Sequence, residues 1–404
     1  MKITKAIESW ITRERVRIFC ILIVPMLLVL ELVKTWSDPA HFGRFPYGHD
    51  FIAFWSAAQL AAEGRVEALY DPSVYFALQR ERILSGGILP WFYPPTFLSA
   101  IYPLGRMGFA AAWAAFSVVG IGGLALAARP FLKGRDRLGW ALLLGAPVIG
   151  VTLVQGQNGA IVAALFLGAF AARSAGRTWL AATLIAGLAI KPHVALLIPV
   201  ALVAAGDWRL ILRTALMTLA FAALPWALFG IESWKLALDH LDSTQLIFAD
   251  QAPLVTMVTA YSGGVLMGLP FQVSAGLQTL SAAIAVLIVW RLWRARTIAP
   301  DLQLAGLMMA ALLVPPYGFR YDMVVTLAAT LLIVGRAERH GWLPGEKLAM
   351  AALWFLPLIL PNIAHVTGLP AGFALLLLGL WSVWRRAVLH GRTPPPAGQR
   401  SPAA

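Results

Sequence analysis

Most of the positive charge of this chain falls in short clusters, and between them the sequence stays apolar over lengths that match a lipid bilayer. The clusters lie at the N-terminus (Lys2, Lys5, Arg13, Arg15, Arg17) and at 129–137, 173–177, 209–213, 291–296, 336–339 and 385–392. A spanning helix needs about 20 predominantly apolar residues. Only 13% of the 404 residues are charged and 59% are hydrophobic, against about 25% charged in soluble domains. The expected class is an all-α polytopic membrane protein. The formal charge of +13 then reads as the positive-inside rule, and no nucleic-acid partner is expected. The one cysteine, Cys20, lies within the first apolar run, so neither a disulfide framework nor a metal cluster is expected. That run, 18–33, lacks a small-residue cleavage site after it and reads as an uncleaved first helix. Residues 1–392 read as one integral membrane domain, and the proline-rich 393–404 as a disordered cytoplasmic tail.

If every basic cluster is cytoplasmic, the remaining connections face outward, and nearly every other polar group falls among them. They carry His49 and Asp50; Tyr93 with Pro94 and Pro95; Gln155, Gly156, Gln157 and Asn158; Lys191, Pro192 and His193; the segment 231–259; 317–322; and 362–365. This threading gives roughly twelve spans with both ends inside. Segments 95–106 and 253–269 are short and fit either a crossing or a re-entrant helix; a crossing at 95–106 would turn the 129–137 cluster outward. The helices around Lys191 are short as well, as broken helices lining a polar cavity can be. The first outer connection, 34–92, is the longest. It carries two amphipathic patterns, 51–63 ending at Gly64 as C-cap and 71–84 starting with Asp71 and Pro72 as N-cap and first helical residue. Helices of that kind lie in the membrane interface.

Several outward residues could carry chemistry. Asp50 precedes a helical pattern, so it fits an N-cap; it also fits a general base that takes the proton from an acceptor hydroxyl, since a free alcohol is a poor nucleophile. Asp71 is explained by its capping pattern, and Glu63 as a solvated helix end. Lys191 closes an apolar run, and an ionisable group at that depth points to function, with snorkelling as the alternative; it could hold a phosphate and stabilise a leaving group. His193 stands beside it. Gln155, Gln157 and Asn158 are suited to sugar hydroxyls, although Gly and Asn also favour turns. Tyr93 could stack on a sugar ring or sit in an aromatic belt. Arg320, Tyr321 and Asp322 follow a helix break at Pro315 and Pro316; Arg320 could clamp phosphate or pair with Asp322. No nucleotide-binding glycine loop, Cys/His metal spacing or nucleophile elbow occurs.

Taken in order, His49-Asp50-Phe51, Leu69-Tyr70-Asp71-Pro72, Tyr93-Pro94-Pro95, Gly156-Gln157-Asn158 and Lys191-Pro192 resemble glycosyltransferase family 87. This family of membrane-embedded GT-C enzymes includes phosphatidylinositol-mannoside mannosyltransferases. The resemblance runs from about Gly48 to about Asp322. It implies an inverting hexosyltransferase that takes sugar from a polyprenyl-phosphate donor at the outer face of a bacterial inner membrane, without nucleotide, metal or other cofactor. The family's proposed general base maps onto Asp50. Many members carry a Ser-Pro…Trp…His segment late in the chain; here Pro315-Pro316-Tyr317 and Tyr321-Asp322 stand instead, which puts the donor sugar in question. The expected site is Asp50 as base, Lys191 and Arg320 at the donor phosphate, and His49, Tyr93, Gln155, Gln157, Asn158, His193, Tyr321 and Asp322 at substrate. The expected partners are the lipid-linked donor, a lipid or glycan acceptor and membrane lipids. The rival class is a transporter or flippase of lipid-linked sugars, which often shows internal repeats; none is evident here.

Overall fold

Apart from an isolated bridge between Met257 and Phe319, regular structure among the described residues is entirely helical. The computed structural model describes residues 7–23, 47–82, 89–132, 137–241 and 254–390, with single positions between 25 and 37. Residues 24, 27, 28, 31 and 32 of the expected first span, the loop 133–136 and the tail 393–404 lie outside the described residues.

The first helices are α1 (Arg13–Ile18), α2 (Phe51–Ala62), α3 (Pro72–Arg82) and α4 (Pro95–Ile101). The middle of the chain forms α5 (Phe109–Leu132), α6 (Arg137–Leu144), α7 (Pro147–Gln155), α8 (Gly159–Ser174), α9 (Thr178–Gly187), α10 (Leu197–Ala205), α11 (Trp208–Phe229) and α12 (Glu232–Asp239). The remainder forms α13 (Ala260–Leu266), α14 (Phe271–Arg294), α15 (Pro300–Ala310), α16 (Val324–His340), α17 (Glu346–Phe355), α18 (Leu360–Thr367) and α19 (Ala371–His390).

Among the described residues, five stretches are long and apolar enough to cross a bilayer: α5, α6 with α7, α11, α14 and most of α19. A sixth is added if α17 and α18, bent by 83° at their junction, count as one span. Length and composition therefore establish a polytopic membrane fold with five or six such helices, fewer than the twelve or so expected. The difference lies in α2, α8, α9 and α10, which are apolar but shorter. The environment is legible on the outside of the molecule. Trp208, Leu212, Leu219 and Trp226 of α11 are all exposed, an apolar face that hydrocarbon accommodates and water does not.

Inside, α8 packs against both α5 and α9, α9 against α11, α10 against α14, and α15 against α16. From Val324 to Ile333 every residue of α16 is buried. Its two threonines are satisfied within the helix: the Thr326 hydroxyl donates to Met323 O and the Thr330 hydroxyl to Thr326 O.

The helices have two distinct ends. At one end the basic clusters are cross-linked. Arg13 pairs with Glu338, Arg336 and Arg339 with Asp301, Arg173 with Asp207, and Arg386 with Glu346, while Arg173 also lies over the Trp293 ring. From there α7, α9 and α15 run towards the opposite end, where the 154–159 turn, Lys191 and the 320–323 turn meet.

One expectation changes. The pattern at 51–63 was expected to lie in the membrane interface, yet α2 is buried on every side: Phe51 to Ala58, Leu60 and Ala61 are all inaccessible. Ser56 and Gln59 are the only polar side chains along it, too few to make a solvated face, and a helix apolar all round is a core helix. It does end as expected, with Gly64 at φ +73° and Arg65 N donating to Leu60 O. The segment 95–106, left open between a crossing and a re-entrant helix, is not among the helices long and apolar enough to cross. It is α4 followed by a 3-10 turn, Tyr102–Arg106, about 20 Å of helix at 1.5–2 Å per residue against a hydrocarbon core of about 30 Å. It packs on α2 closely enough that a Cβ on Gly105 would stand 2.1 Å from Ala58 O.

Candidate active site

Five breaks in the helical pattern meet at the end opposite the basic clusters. The first is the entry to α2. Gly48, at φ +67°, donates its N–H to Val154 O (2.6 Å), and Asp50 donates its N–H to Gln155 O (3.0 Å). The second is the α7–α8 turn, closed by Gly156 at φ +73° and by Gln157 N donating to Thr152 O, an ending that needs a left-handed residue. The two turns touch: a Cβ on Gly156 would stand 2.5 Å from the Phe51 Cβ and 3.1 Å from the Gly48 Cα. The backbone therefore fixes where Asp50 sits.

Its side chain does not cap the helix. Asp50 occupies the N-cap position of α2 with helical backbone angles and no capping hydrogen bond. Its carboxylate instead receives Gln157 Nε2 at Oδ2 (2.9 Å), and His49 Nε2 lies 4.0 Å from Oδ1. Tyr93 donates its hydroxyl to Gln157 Oε1 (3.4 Å). Asp71 is the contrasting case. It is exposed, and the Ser73 hydroxyl and N–H at its Oδ1 (2.7 and 2.9 Å) hold its carboxyl below the usual carboxylate range; it is a cap, as its sequence context indicates.

The third break brings in Tyr93. Pro94 is extended and Pro95 opens α4, which presents Thr96 to Ala189 O (2.7 Å) and so ties α4 to the fourth break, 188–195. There the helix unwinds through two 3-10 turns with Lys191 between them. Lys191 is buried rather than snorkelling: its Nζ donates to Asp322 Oδ1 (2.5 Å) and Asn158 Oδ1 (3.2 Å) and lies 4.9 Å from the centre of the Tyr321 ring. His193 packs its ring against Tyr317 at 4.5 Å.

The fifth break is 315–323. A pair between Asp322 and Arg320 was one of the two readings the sequence left open. Among the described residues Asp322 pairs with Lys191 and accepts Phe319 N–H at its other oxygen (3.1 Å); this 3-10 turn points the two side chains apart. Arg320 donates to Leu358 O (3.3 Å). The turn sits directly on α8, where a Cβ on Gly159 would lie 2.3 Å from Tyr321 O.

The geometry thus forms two linked sets, Asp50–Gln157–Tyr93 and Asn158–Lys191–Asp322–Tyr321, joined through the adjacent residues Gln157 and Asn158 and through Tyr93, which lies in electrostatic reach of both carboxylates. Gln155 Oε1 and His193 Nε2 are buried atoms without a hydrogen-bond partner among the described residues. No three His, Cys, Asp or Glu side chains among the described residues come together as metal ligands would.

Three supporting residues were not anticipated. Pro315 and Pro316 leave carbonyls of the unwound α15 end without N–H partners, and α14 supplies them: Gln278 Nε2 donates to Leu313 O and Val314 O (both 3.0 Å) and the Ser281 hydroxyl to Leu313 O (3.0 Å). Thr259 donates its hydroxyl to Pro316 O (2.9 Å). The signal was present as an amide within a charge-free apolar run, a position where polar groups are costly unless they are used.

Comparison with protein families matches residues 91–316 to glycosyltransferase family 87. No curated protein and no solved structure matches the chain. The matched segment contains Tyr93, 155–158, Lys191 and His193; Asp50 and Arg320 to Asp322 lie outside it and join it through the contacts above.

Proposed function

The chain belongs to glycosyltransferase family 87 and is a membrane glycosyltransferase, and from that premise we propose an inverting enzyme that moves one hexose, such as mannose, from a polyprenyl-phosphate carrier to a lipid or glycan acceptor. The observation that carries the reading is Asp50, whose carboxylate is left uncommitted by its helix and is aimed instead into the cluster of polar side chains. An acceptor hydroxyl attacks the anomeric carbon and passes its proton to Asp50. The bond between that carbon and the phosphate oxygen breaks, and the lipid phosphate leaves with the electron pair. Single displacement inverts the anomeric centre.

Lys191 and Arg320 are the cations assigned to the negative charge of the leaving phosphate. Lys191 shares its charge with Asp322, and Arg320 is the second cation assigned to the phosphate. Tyr93, Gln155, Asn158 and His193 offer a ring face, amides and an imidazole to the sugar, and His49 stands beside the base.

The active site faces the periplasm of a bacterial inner membrane. What supports this is the separation of the two ends, since basic clusters stay on the cytoplasmic side. Alternating passage from end to end, counted through the short helices too, supports roughly twelve traverses within one integral membrane domain. Family membership sets the transporter reading aside.

The test is consumption of donor by purified protein from a panel of polyprenyl-phosphate hexoses, with and without Asp50→Asn. The amide keeps the shape and cannot take the proton, so turnover is expected to fall about 10²- to 10⁴-fold with the fold intact. Near wild-type turnover by the variant would remove Asp50 as base.

A further inference from the structure

The two glutamines of the α7–α8 turn look interchangeable in sequence, but their side chains are committed differently. Gln155 keeps a buried carbonyl oxygen without a hydrogen-bond partner among the described residues. Gln157 is engaged at both ends of its amide: Nε2 donates to Asp50 Oδ2 (2.9 Å) and Oε1 accepts from Tyr93 (3.4 Å). Each end of the amide thus already has a protein partner, whereas Gln155 Oε1 has none among the described residues.

We propose that Gln157 is a positioning residue for the base, reading Tyr93 on one side and fixing the Asp50 carboxylate on the other, so that Oδ1 is the oxygen left to receive the acceptor proton. The inference rests on the reading of Asp50 as base. A carboxylate at a helix start can turn about its side-chain torsions, and with no capping bond to the α2 backbone nothing in its own helix stops it. Gln157 does. Its own backbone is held by the helix ending, with N–H to Thr152 O (2.9 Å) and Gly156 in the left-handed region. The holder is thus more rigidly placed than the group it holds. An amide is the suitable side chain here, because it gives a proton donor to the carboxylate while presenting an acceptor to the tyrosine, and it carries no charge that would compete with Lys191 for Asp322.

Occupying Oδ2 has a directional consequence. The remaining oxygen faces the His49 side, where Nε2 is 4.0 Å away. Approach of the acceptor hydroxyl from there leaves the Gln157 contact intact.

The experiment compares Gln157→Met, which keeps length and apolar packing, with Gln157→Ala, Tyr93→Phe and the Gln157→Met/Tyr93→Phe double variant. Each is assayed on the polyprenyl-phosphate hexose that the wild type consumes, with thermal midpoints in detergent measured alongside. Loss of orientation of a reacting group costs up to about a hundredfold. The expected result is kcat lowered about tenfold to a hundredfold in both Gln157 variants, donor KM within about twofold of wild type, and a smaller effect of Tyr93→Phe that disappears once Gln157 is gone. Either Gln157 variant that folds is sufficient to decide. A raised KM with kcat retained would make Gln157 a sugar contact and overturn the proposal, as would unchanged kinetics. Asp50→Asn separates the two levels: if it stays active while Gln157→Met does not, the base assignment fails; if it is inactive while Gln157→Met is normal, only the positioning role fails.

Discussion

Lys191 and Asp322 have side chains 4% and 1% exposed, and ions that deep persist only when paired and hydrogen-bonded. Both are: Asn158 and Tyr321 complete the surroundings of the ammonium, and Phe319 N–H those of the carboxylate. Removing one charge leaves the other uncompensated, which typically costs about 3–5 kcal/mol, whereas removing both costs much less. Lys191→Met is therefore expected to lower the thermal midpoint sharply in detergent, and Lys191→Met/Asp322→Asn to recover most of it. A double variant no more stable than the single one would show that the pair does not hold this corner together. The same double variant answers the phosphate question, since it can be titrated with polyprenyl phosphate without a folding defect; stabilisation by the lipid equal to that of wild type would remove Lys191 from the donor site. That Lys191 matters was legible in the sequence, as an ion closing an apolar run. Its partner was not, because the two lie 131 residues apart and the nearer candidate for Asp322 was Arg320.

Among the elements, the α7–α8 turn carries the largest share of the site, and a glycine makes it possible. Gly156 needs both its left-handed backbone and its missing Cβ, which would stand 2.5 Å from the Phe51 Cβ. Gly64 has the same φ, +73°, and nothing within 4 Å of its Cβ position. The pair separates backbone cost from contact cost. Gly64→Ala should lose only the backbone term, about 1–2 kcal/mol, with turnover unchanged. Gly156→Ala adds overpacking, typically about 1–3 kcal/mol more, and should also lower turnover by pushing the α2 entry, and Asp50 with it, off the turn. Equal losses of stability and activity in the two variants would mean that the Gly48–Gly156 contact does not position the base. Gly64 as a helix ending was readable from local sequence. The burial of α2 was not, because the apolar residues of 51–62 that face α5 and those that face α4 look alike in a sequence whose surroundings are lipid as often as protein.

Across the whole molecule, basic clusters at one end and the polar turns at the other make a two-ended object whose orientation follows from charge alone. This sorting was visible in the sequence. The roughly twelve spans read there are matched by length and composition at only five or six helices among the described residues, because α8, α9 and α10 are short and pack on protein neighbours. Orientation can be tested by labelling cysteines with a membrane-impermeant maleimide after the native Cys20, which is buried, has been replaced. The site itself is a poor place for a probe: a side chain on Gly48 would meet Trp113 at 2.9 Å and one on Gly159 would meet Tyr321 O at 2.3 Å. Ala77 on α3 and Ser174 at the end of α8 are both exposed, one on the first outer connection and the other within the 173–177 cluster. Intact cells of the inner-membrane protein with a permeabilised outer membrane should label Ala77→Cys and leave Ser174→Cys unmodified until the inner membrane is opened. The reverse pattern would place the site in the cytoplasm and exclude a periplasmic lipid-linked donor. Labelling of both from outside would mean that one of the helices between them, α4 to α8, passes through the membrane differently from the end-to-end alternation, and the assignment of Asp50 and Lys191 to one compartment would fall with it.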